Sequence, residues 1–505
     1  MLHLRTWFSI VIVTMALSGF SAFSVWSQGN SPWEPAQVIP LYTDIYPPIM
    51  VPDQNRTAHA FNSESQADDS IVIYYRKWSL DQGWTTPVDI LLINPSRRDA
   101  LQDVLLDPLG RFHMVYFSGV LEQQGNLLYT RAWASEADQS QTWADPVEIG
   151  INVGPLLSAD LAWSGDNYLT LVFSGKENGV GLYEVHSEDG GDTWTEPVRI
   201  TPPYEEGIWP FHIQIEFDDE GRLHVVWGMV DSSGIGKKVY YTRREADGVT
   251  WRNPYLLAAA EGNDYGADWP SIINYHDQLI VLYMDGTIPN GIPPTRWMRI
   301  SEDNGSTWSK PIQPFLQVGE NGTAVLLVDS SDNLHTLFAN RVGEPPISGM
   351  WHANWIGDQW GEPELITARS EQAAAYSGSY ADGGSASRPN AVVVQGNVIL
   401  SAWWHDMRNQ PPAAYSSTRI NGPEYPIVPL PEVVPTPTPS PIPAIIETNA
   451  TPTAIPSFTG SSGSSDDRPA ALSVTTTLFL GLIPVLILVV IVVGVQRFRI
   501  RKTSR

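Results

Sequence analysis

The residues of this 505-residue chain best equipped for chemistry are carboxylates set beside large aromatic rings. Tyr204-Glu205-Glu206-Gly207-Ile208-Trp209 and Asp264-Tyr265-Gly266-Ala267-Asp268-Trp269 are the clearest, and a loop over 366–390 adds Tyr376, Tyr380, Asp382 and Arg388. Tyr42 to Tyr46, Arg97-Arg98-Asp99 and Glu320-Asn321 are the other polar loops that would gather with them. Aromatic faces stack on the apolar faces of sugar rings, while carboxylates accept hydroxyl hydrogen bonds or serve as acid and base in glycoside cleavage. Glu205, Asp268, Arg388 and Tyr380 are therefore the candidates for catalysis. Trp209, Trp269, Tyr265, Arg97 and Arg98 are the candidates for ligand binding. The competing reading is that Trp209 and Trp269, each followed by Pro, only plug the space between neighbouring units.

The elements that would position these loops are repeats. Ser187-Glu188-Asp189-Gly190-Gly191-Asp192-Thr193-Trp194 returns as Ser301-Glu302-Asp303-Asn304-Gly305-Ser306-Thr307-Trp308. Ser-x-Asp-x-Gly-x-Thr-Trp reads as a hairpin turn, with the Asp carboxylate accepting backbone N–H groups, Gly supplying positive φ and Trp opening the return strand. This segment resembles the Asp-box of sialidases and of the wider bacterial-neuraminidase-repeat propellers. Weaker copies keep the Trp and the Pro three residues on. With Trp33, the repeat positions are Trp33, Trp84, Trp143, Trp194, Trp251, Trp308 and Trp360, in steps of 51, 59, 51, 57, 57 and 52.

Each period also carries short strand patterns, such as Ile213 to Phe217, Leu223 to Trp227 and Val239 to Arg243, before its Trp-x-x-Pro segment. Four antiparallel strands per period is a propeller blade, so the fold class is an all-β propeller. The last period, through Ala391 to Val394, Val398 to Trp404 and Ala414 to Arg419, lacks a fourth strand, and Trp33 to Pro40 supplies it. That closure removes the free sheet edges and predicts seven blades. Six, the number in sialidases, is the alternative.

The resemblance implies a sialidase site of three arginines on the substrate carboxylate, a Tyr nucleophile with its Glu, and an Asp acid/base. The family's first arginine sits in Arg-Ile-Pro on the first inner strand, but that strand here reads Tyr46-Pro47-Pro48-Ile49-Met50-Val51. Arg97, Arg98, Arg341, Arg388 and Arg408 are the cations near the expected mouth, and none matches the motif residue by residue. The box residues Ser187, Asp189, Gly191, Thr193, Trp194, Ser301, Asp303, Gly305, Thr307 and Trp308 read as scaffold. His59, His113, His224 and His335 recur at one strand position and read as packed core rather than metal ligands. No metal or cofactor is expected.

With 30 Lys+Arg against 55 Asp+Glu, the formal charge of −25 leaves no basic footprint for nucleic acid. The absence of Cys removes disulfides and thiolate chemistry. Residues 1–27 have the layout of a secretory signal, with an uncleaved anchor as the alternative. The propeller is assigned to 28–425. A Pro/Thr/Ser-rich stalk over 426–470 reaches on the order of 100 Å if extended. Residues 471–495 form an apolar membrane span, and the basic tail 496–505 stays in the cytoplasm. The expectation is a single-pass cell-surface protein with its propeller outside. Its functions are recognition of a glycan or other surface polymer, or exo-acting glycoside hydrolysis by mouth carboxylates, or a protein-interaction scaffold.

Overall fold

The computed structural model describes residues 31–431 apart from 44–45, 67, 69, 94–99, 120–124, 152, 154–157, 166, 205–206, 233, 261–265, 287–294, 317, 319–322, 341–347, 369–385 and 406–412; for 386–388 and 405 it describes the backbone alone. The expected signal, stalk beyond 431, membrane span and basic tail fall on residues outside the described ones. No helix among the described residues is long and apolar enough to cross a membrane.

Seven antiparallel sheets follow one another along the chain. Blade 1 comprises Ile49–Pro52, Ala58–Ser65, Ile71–Ser79 and Val88–Ile93, and blade 2 Leu101–Leu106, Arg111–Gly119, Gly125–Trp133 and Val147–Gly150. Blade 3 comprises Ala159–Ser164, Tyr168–Gly175, Gly181–Ser187 and Val198–Arg199, and blade 4 Ile208–Phe217, Leu223–Asp231, Gly236–Arg244 and Tyr255–Ala259. Blade 5 has Asp268–Tyr275, Gln278–Asp285 and Thr295–Ser301, and blade 6 Ala324–Val328, Leu334–Asn340, Gly349–Ile356 and Glu364–Ala368. Blade 7 comprises Ala386–Val394, Val398–His405 and Ala414–Arg419, completed from the start of the chain by Gln37–Val38. The first strands of neighbouring blades lie side by side all the way round, from blade 1 through blade 7 and back to blade 1. The ring is a closed seven-blade propeller, and the six-blade alternative is excluded.

Closure pairs the expected segments. Gln37 pairs with Tyr415 and Val38 with Ala414, and Glu34 N donates to Ser417 O at 2.9 Å while Ile39 N donates to Ala413 O at 3.1 Å. The second strand of each blade is covered by sheets on both sides, which is why Leu223–Asp231 is a continuous buried run while Ile71–Ser79 alternates. The outermost strands depart from the sequence reading. Trp84 and Trp360 form short separate pairings before Pro87 and Pro363, and the strand proper resumes only after each proline, which has no N–H for the ladder. In blade 5 the fourth strand shrinks to one bridge, Met298 to Ile312. Trp194 opens no strand, since pairing starts at Val198.

The repeat tryptophans are joints between blades. Trp84 meets Tyr415 of blade 7, Trp143 meets Phe61 of blade 1, Trp194 meets Tyr129 of blade 2 and Trp308 meets Tyr241 of blade 4, all edge to face. Trp33 of blade 7 meets His352 of blade 6, and Trp360 donates its N–H to the Met298 sulfur of blade 5. Trp251 packs into the cluster shared by blades 3 and 4.

The two Ser-x-Asp-x-Gly-x-Thr-Trp segments fold as tight turns closed by their own side chains. Asp189 accepts Thr193 N at 2.8 Å and Thr193 Oγ1 at 2.6 Å, while Ser187 Oγ donates to Asp189 at 2.7 Å and accepts Gly191 N at 2.8 Å. Asp303 repeats this with Thr307 and Ser301. Although burial works the other way, the donors from Thr193 and Ser187 hold the Asp189 carboxyl down at about 2.

Each box is also gripped by the preceding blade. Arg131 bonds Gly190 O and Asp192, and Arg243 bonds Asn304 O and Ser306. Behind these arginines run buried relays: His113 bridges Asp107 Oδ2 at 3.1 Å and Tyr129 Oη at 2.7 Å, and His224 bridges Asp218 Oδ2 at 3.1 Å and Tyr241 Oη at 2.7 Å. His59 joins Asp53 and Tyr75 in the same way. The histidines are core groups, as expected, and burial lowers the pKa of His59, His113 and His224 against the pull of their Asp partners.

The tyrosine at the end of the relay leaves no room for a side chain in the next box. A Cβ on Gly191 would lie 1.9 Å from Tyr129 Oη, and one on Gly305 1.8 Å from Tyr241 Oη. Gly305→Ala should therefore destabilise the ring by about 2–4 kcal/mol, combining overpacking with an unfavourable positive φ. Adding Tyr241→Phe should recover part of that loss, measured as a double-mutant cycle by denaturant unfolding.

Candidate functional site

The turns between first and second strands, and the boxes, lie on one face of the ring. The opposite face, the mouth, is rimmed by the starts of the first strands. Four of these strands carry bulges there, between Leu101 and Asp103, Phe211 and Gln214, Asp268 and Ser271, and Ser387 and Asn390. A bulge re-aims the side chains it carries. Three of the bulges hold His212, Trp269 and Arg388.

In blades 4 and 5 the bulges bring together a cluster that the sequence reading saw only in part. Asp268 accepts His212 Nδ1 at 2.9 Å and the backbone N of Trp269 at 2.8 Å, and Trp269 Nε1 donates to His212 Nε2 at 3.1 Å. An indole N–H can only donate, so Nε2 is the acceptor and the imidazole proton sits on Nδ1, facing Asp268. Phe211 lies against the imidazole with ring centroids 4.2 Å apart. His212 and Trp269 both have φ of +50°, a costly conformation for such bulky residues that the surrounding contacts hold in place.

Asp268 is 6% exposed and seated in a slot left by missing side chains: a Cβ on Gly228 would meet its Oδ1 at 2.1 Å, and one on Gly236 its Cβ at 2.3 Å. The expected acid/base residue is thus committed to orienting His212. Trp209 and Trp269 are half-buried, so neither is a fully enclosed plug.

His212 was missed because it falls outside the repeating histidine position. The available signal was its place two residues after Trp209-Pro210. Arg388 is placed by its backbone in the blade 7 bulge. Glu205, Tyr380, Tyr265, Arg97, Arg98, Tyr376, Asp382, Glu320, Asn321, Arg341 and Arg408 lie outside the described residues. A second aromatic pair, Tyr46 and Trp404 at 5.8 Å, borders blades 7 and 1 beside the buried Glu64, which bonds Thr43 and Asn62. The fully buried arginines Arg76, Arg244 and Arg296 belong to blades 1, 4 and 5; they bond Pro40 O, Glu184 and Thr323 O respectively and do not converge. Among the described residues, no group of three His, Asp or Glu is placed to hold a metal ion.

Below the mouth, first-strand side chains reach the backbone of the next blade. Asp103 accepts Leu161 N at 2.9 Å, Asp160 accepts Ile215 N at 2.7 Å, and Asn390 accepts Met50 N at 3.3 Å. Asp103 and Asp160 also bond each other, and burial raises both pKa values, that of Asp160 further because Asp103 is beside it. Burial pushes Glu216 up to about 7, opposed by a bond from the Asn274 backbone.

No family model matches the chain, and no curated protein matches it. Among solved structures, an ulvan lyase of polysaccharide lyase family PL25, bound to -[GlcA(1-4)Rha3S]-, is similar at 10% identity and a TM-score of 0.46, covering 78% of this chain and 97% of that one. A Trypanosoma rangeli sialidase is similar at 11% identity and a TM-score of 0.40, covering 75% of this chain and 54% of that one. A Dyadobacter fermentans protein of unknown function is similar at 14% identity and a TM-score of 0.39, covering 76% of this chain and 100% of that one. Likeness this distant carries nothing about chemistry.

The raised Glu216 pKa has a sign. Between its ordinary 4.5 and about 7 the folded ring holds a proton that the unfolded chain has released, so this group's contribution to stability falls as pH rises through that window. Glu216→Gln should gain stability relative to the native chain between pH 5 and pH 8, on the order of 2 kcal/mol by denaturant unfolding at each pH. A pH-independent difference would contradict the burial of this carboxyl.

Proposed function

We propose that this chain is a membrane-anchored, extracellular propeller that recognises a glycan at its mouth, chiefly through the cluster on blades 4 and 5. The observation that carries this reading is the locked His212–Asp268–Trp269 arrangement. It holds aromatic faces and polar groups rigidly at the rim, which lowers the ordering cost of binding. The course of the chain supports the same reading. Pro32 and Trp33 begin on the box face, and after Arg419 the chain crosses that face, with Tyr425 N on Gln395 O, Val428 N on Gln54 O and Ser135 Oγ on Pro431 O. Both described ends of the chain thus lie on the box face, the side opposite the proposed binding rim.

Glycoside cleavage is the second reading, and the dyad is what favours it. Asp268 orients His212 as it would orient a general base. Against it, Nε2 already accepts the Trp269 N–H, and the Asp268 carboxylate is spent on His212. Binding without turnover is therefore preferred.

The test is a glycan array and a panel of activated glycosides, applied to the full-length chain and its variants. Trp269→Ala and His212→Gln should each weaken glycan binding by about 1–3 kcal/mol with melting little changed. Turnover that falls with Asp268→Asn would establish the enzyme instead. Capture of proteins but no glycan, unaffected by these variants, would leave the interaction scaffold.

A further inference from the structure

Blade 6 breaks the pattern of the buried relays. Its histidine, His335, bonds Asp329 Oδ2 at 3.1 Å as in blades 1, 2 and 4, but the tyrosine is replaced by His352, whose Nε2 lies 3.0 Å from His335 Nδ1. In blades 2 and 4 the tyrosine ends on the box of the next blade. Blade 7 has no box, because the connection between its last two strands is replaced by the two ends of the chain. A smaller ring on one side and a missing loop on the other leave a cavity of about 410 Å³, within the size range of small-ligand sites.

Its walls are built from fixed polar groups and indoles. Trp33, 5% exposed, packs edge-on against His352, and its Nε1–H is buried with no hydrogen-bond partner in the protein. His352 Nδ1 and Glu364 Oε2 sit 3.7 Å apart as cross-strand neighbours, too far for a direct hydrogen bond. Asn333 is pinned by Asp329, Asn354 lies 2.8 Å from His335, and Arg419 and Trp355 complete the lining.

We propose that this cavity at the seam of blades 6 and 7 is a second binding site, for one hydroxylated ring of monosaccharide size. A ring hydroxyl donates to Glu364 or His352, ring oxygens accept from Arg419, and the indoles cover an apolar face. The site is on the opposite side of the ring from the mouth and does not depend on the reading of the mouth.

The test is saturation-transfer NMR of the full-length chain with galactose, N-acetylglucosamine and glucuronic acid, compared with two variants. His352→Tyr restores the residue used by the other relays, narrows the cavity and removes the imidazole; Glu364→Gln keeps the shape but exchanges an acceptor oxygen for a donor. Saturable binding of at least one sugar is expected, weakened by about tenfold or more in both variants. If His352→Tyr fails to fold, Glu364→Gln decides alone. Absence of saturable binding, or binding unchanged in the folded variants, overturns the proposal.

Discussion

The structure depends on one recurrent contact: a tryptophan from the outer part of each blade docked on the blade before it. A single four-stranded sheet cannot bury both faces. Here each sheet lends an indole to its neighbour, so no blade is stable without the next. The joint explains why the Trp spacing survives in all seven units while the box around it survives in full in only two. Where the box is intact, at Asp189 and Asp303, the preceding blade adds an arginine grip and a tyrosine that requires Gly191 or Gly305. Elsewhere the indole docks against Phe61, Tyr415 or Met298, with Lys77 pairing to Asp138 beside the first of these.

Much of this was legible in the sequence. The repeat of Trp with a trailing Pro fixes the blade number. The absence of a closing strand after Arg419 points to Trp33 to Pro40, because an open ring would leave two sheet edges exposed. The outer strands were read less well. Pro87 and Pro363 split theirs, and in blade 5 pairing dwindles to one bridge, since an edge strand needs little ladder once its tryptophan is anchored. The chemistry was legible only in part. Asp268 and Trp269 were singled out, but their partner His212 comes from another blade, and its exposure arises from a bulge that no periodicity announces. The exchange of tyrosine for His352 at the blade 6 relay is invisible until the strands are aligned in space.

The two faces of the ring divide the labour. The box face carries the turns, the relays and the described segments on either side of the closing strand pair, so it belongs to closure. The mouth carries the bulges and the backbone strain at His212 and Trp269, which the rest of the ring must hold in place. Between them, Asp103, Asp160 and Glu216 tie the first strands of blades 2, 3 and 4 to their neighbours, with burial favouring their protonated forms. A rigid ring is what makes a strained rim affordable.

Closure of that ring by the N-terminal strand can be measured directly because the chain has no cysteine of its own. Gln37 and Tyr415 are partners in register, with side chains close enough for Tyr415 Oη to donate to Gln37 Oε1 at 3.3 Å. With Gln37→Cys and Tyr415→Cys combined, mild oxidation should form one intramolecular disulfide and raise the melting temperature, seen by mass and by thermal unfolding before and after reduction. Two thiols that stay reduced in the folded protein would contradict the closed seven-blade ring.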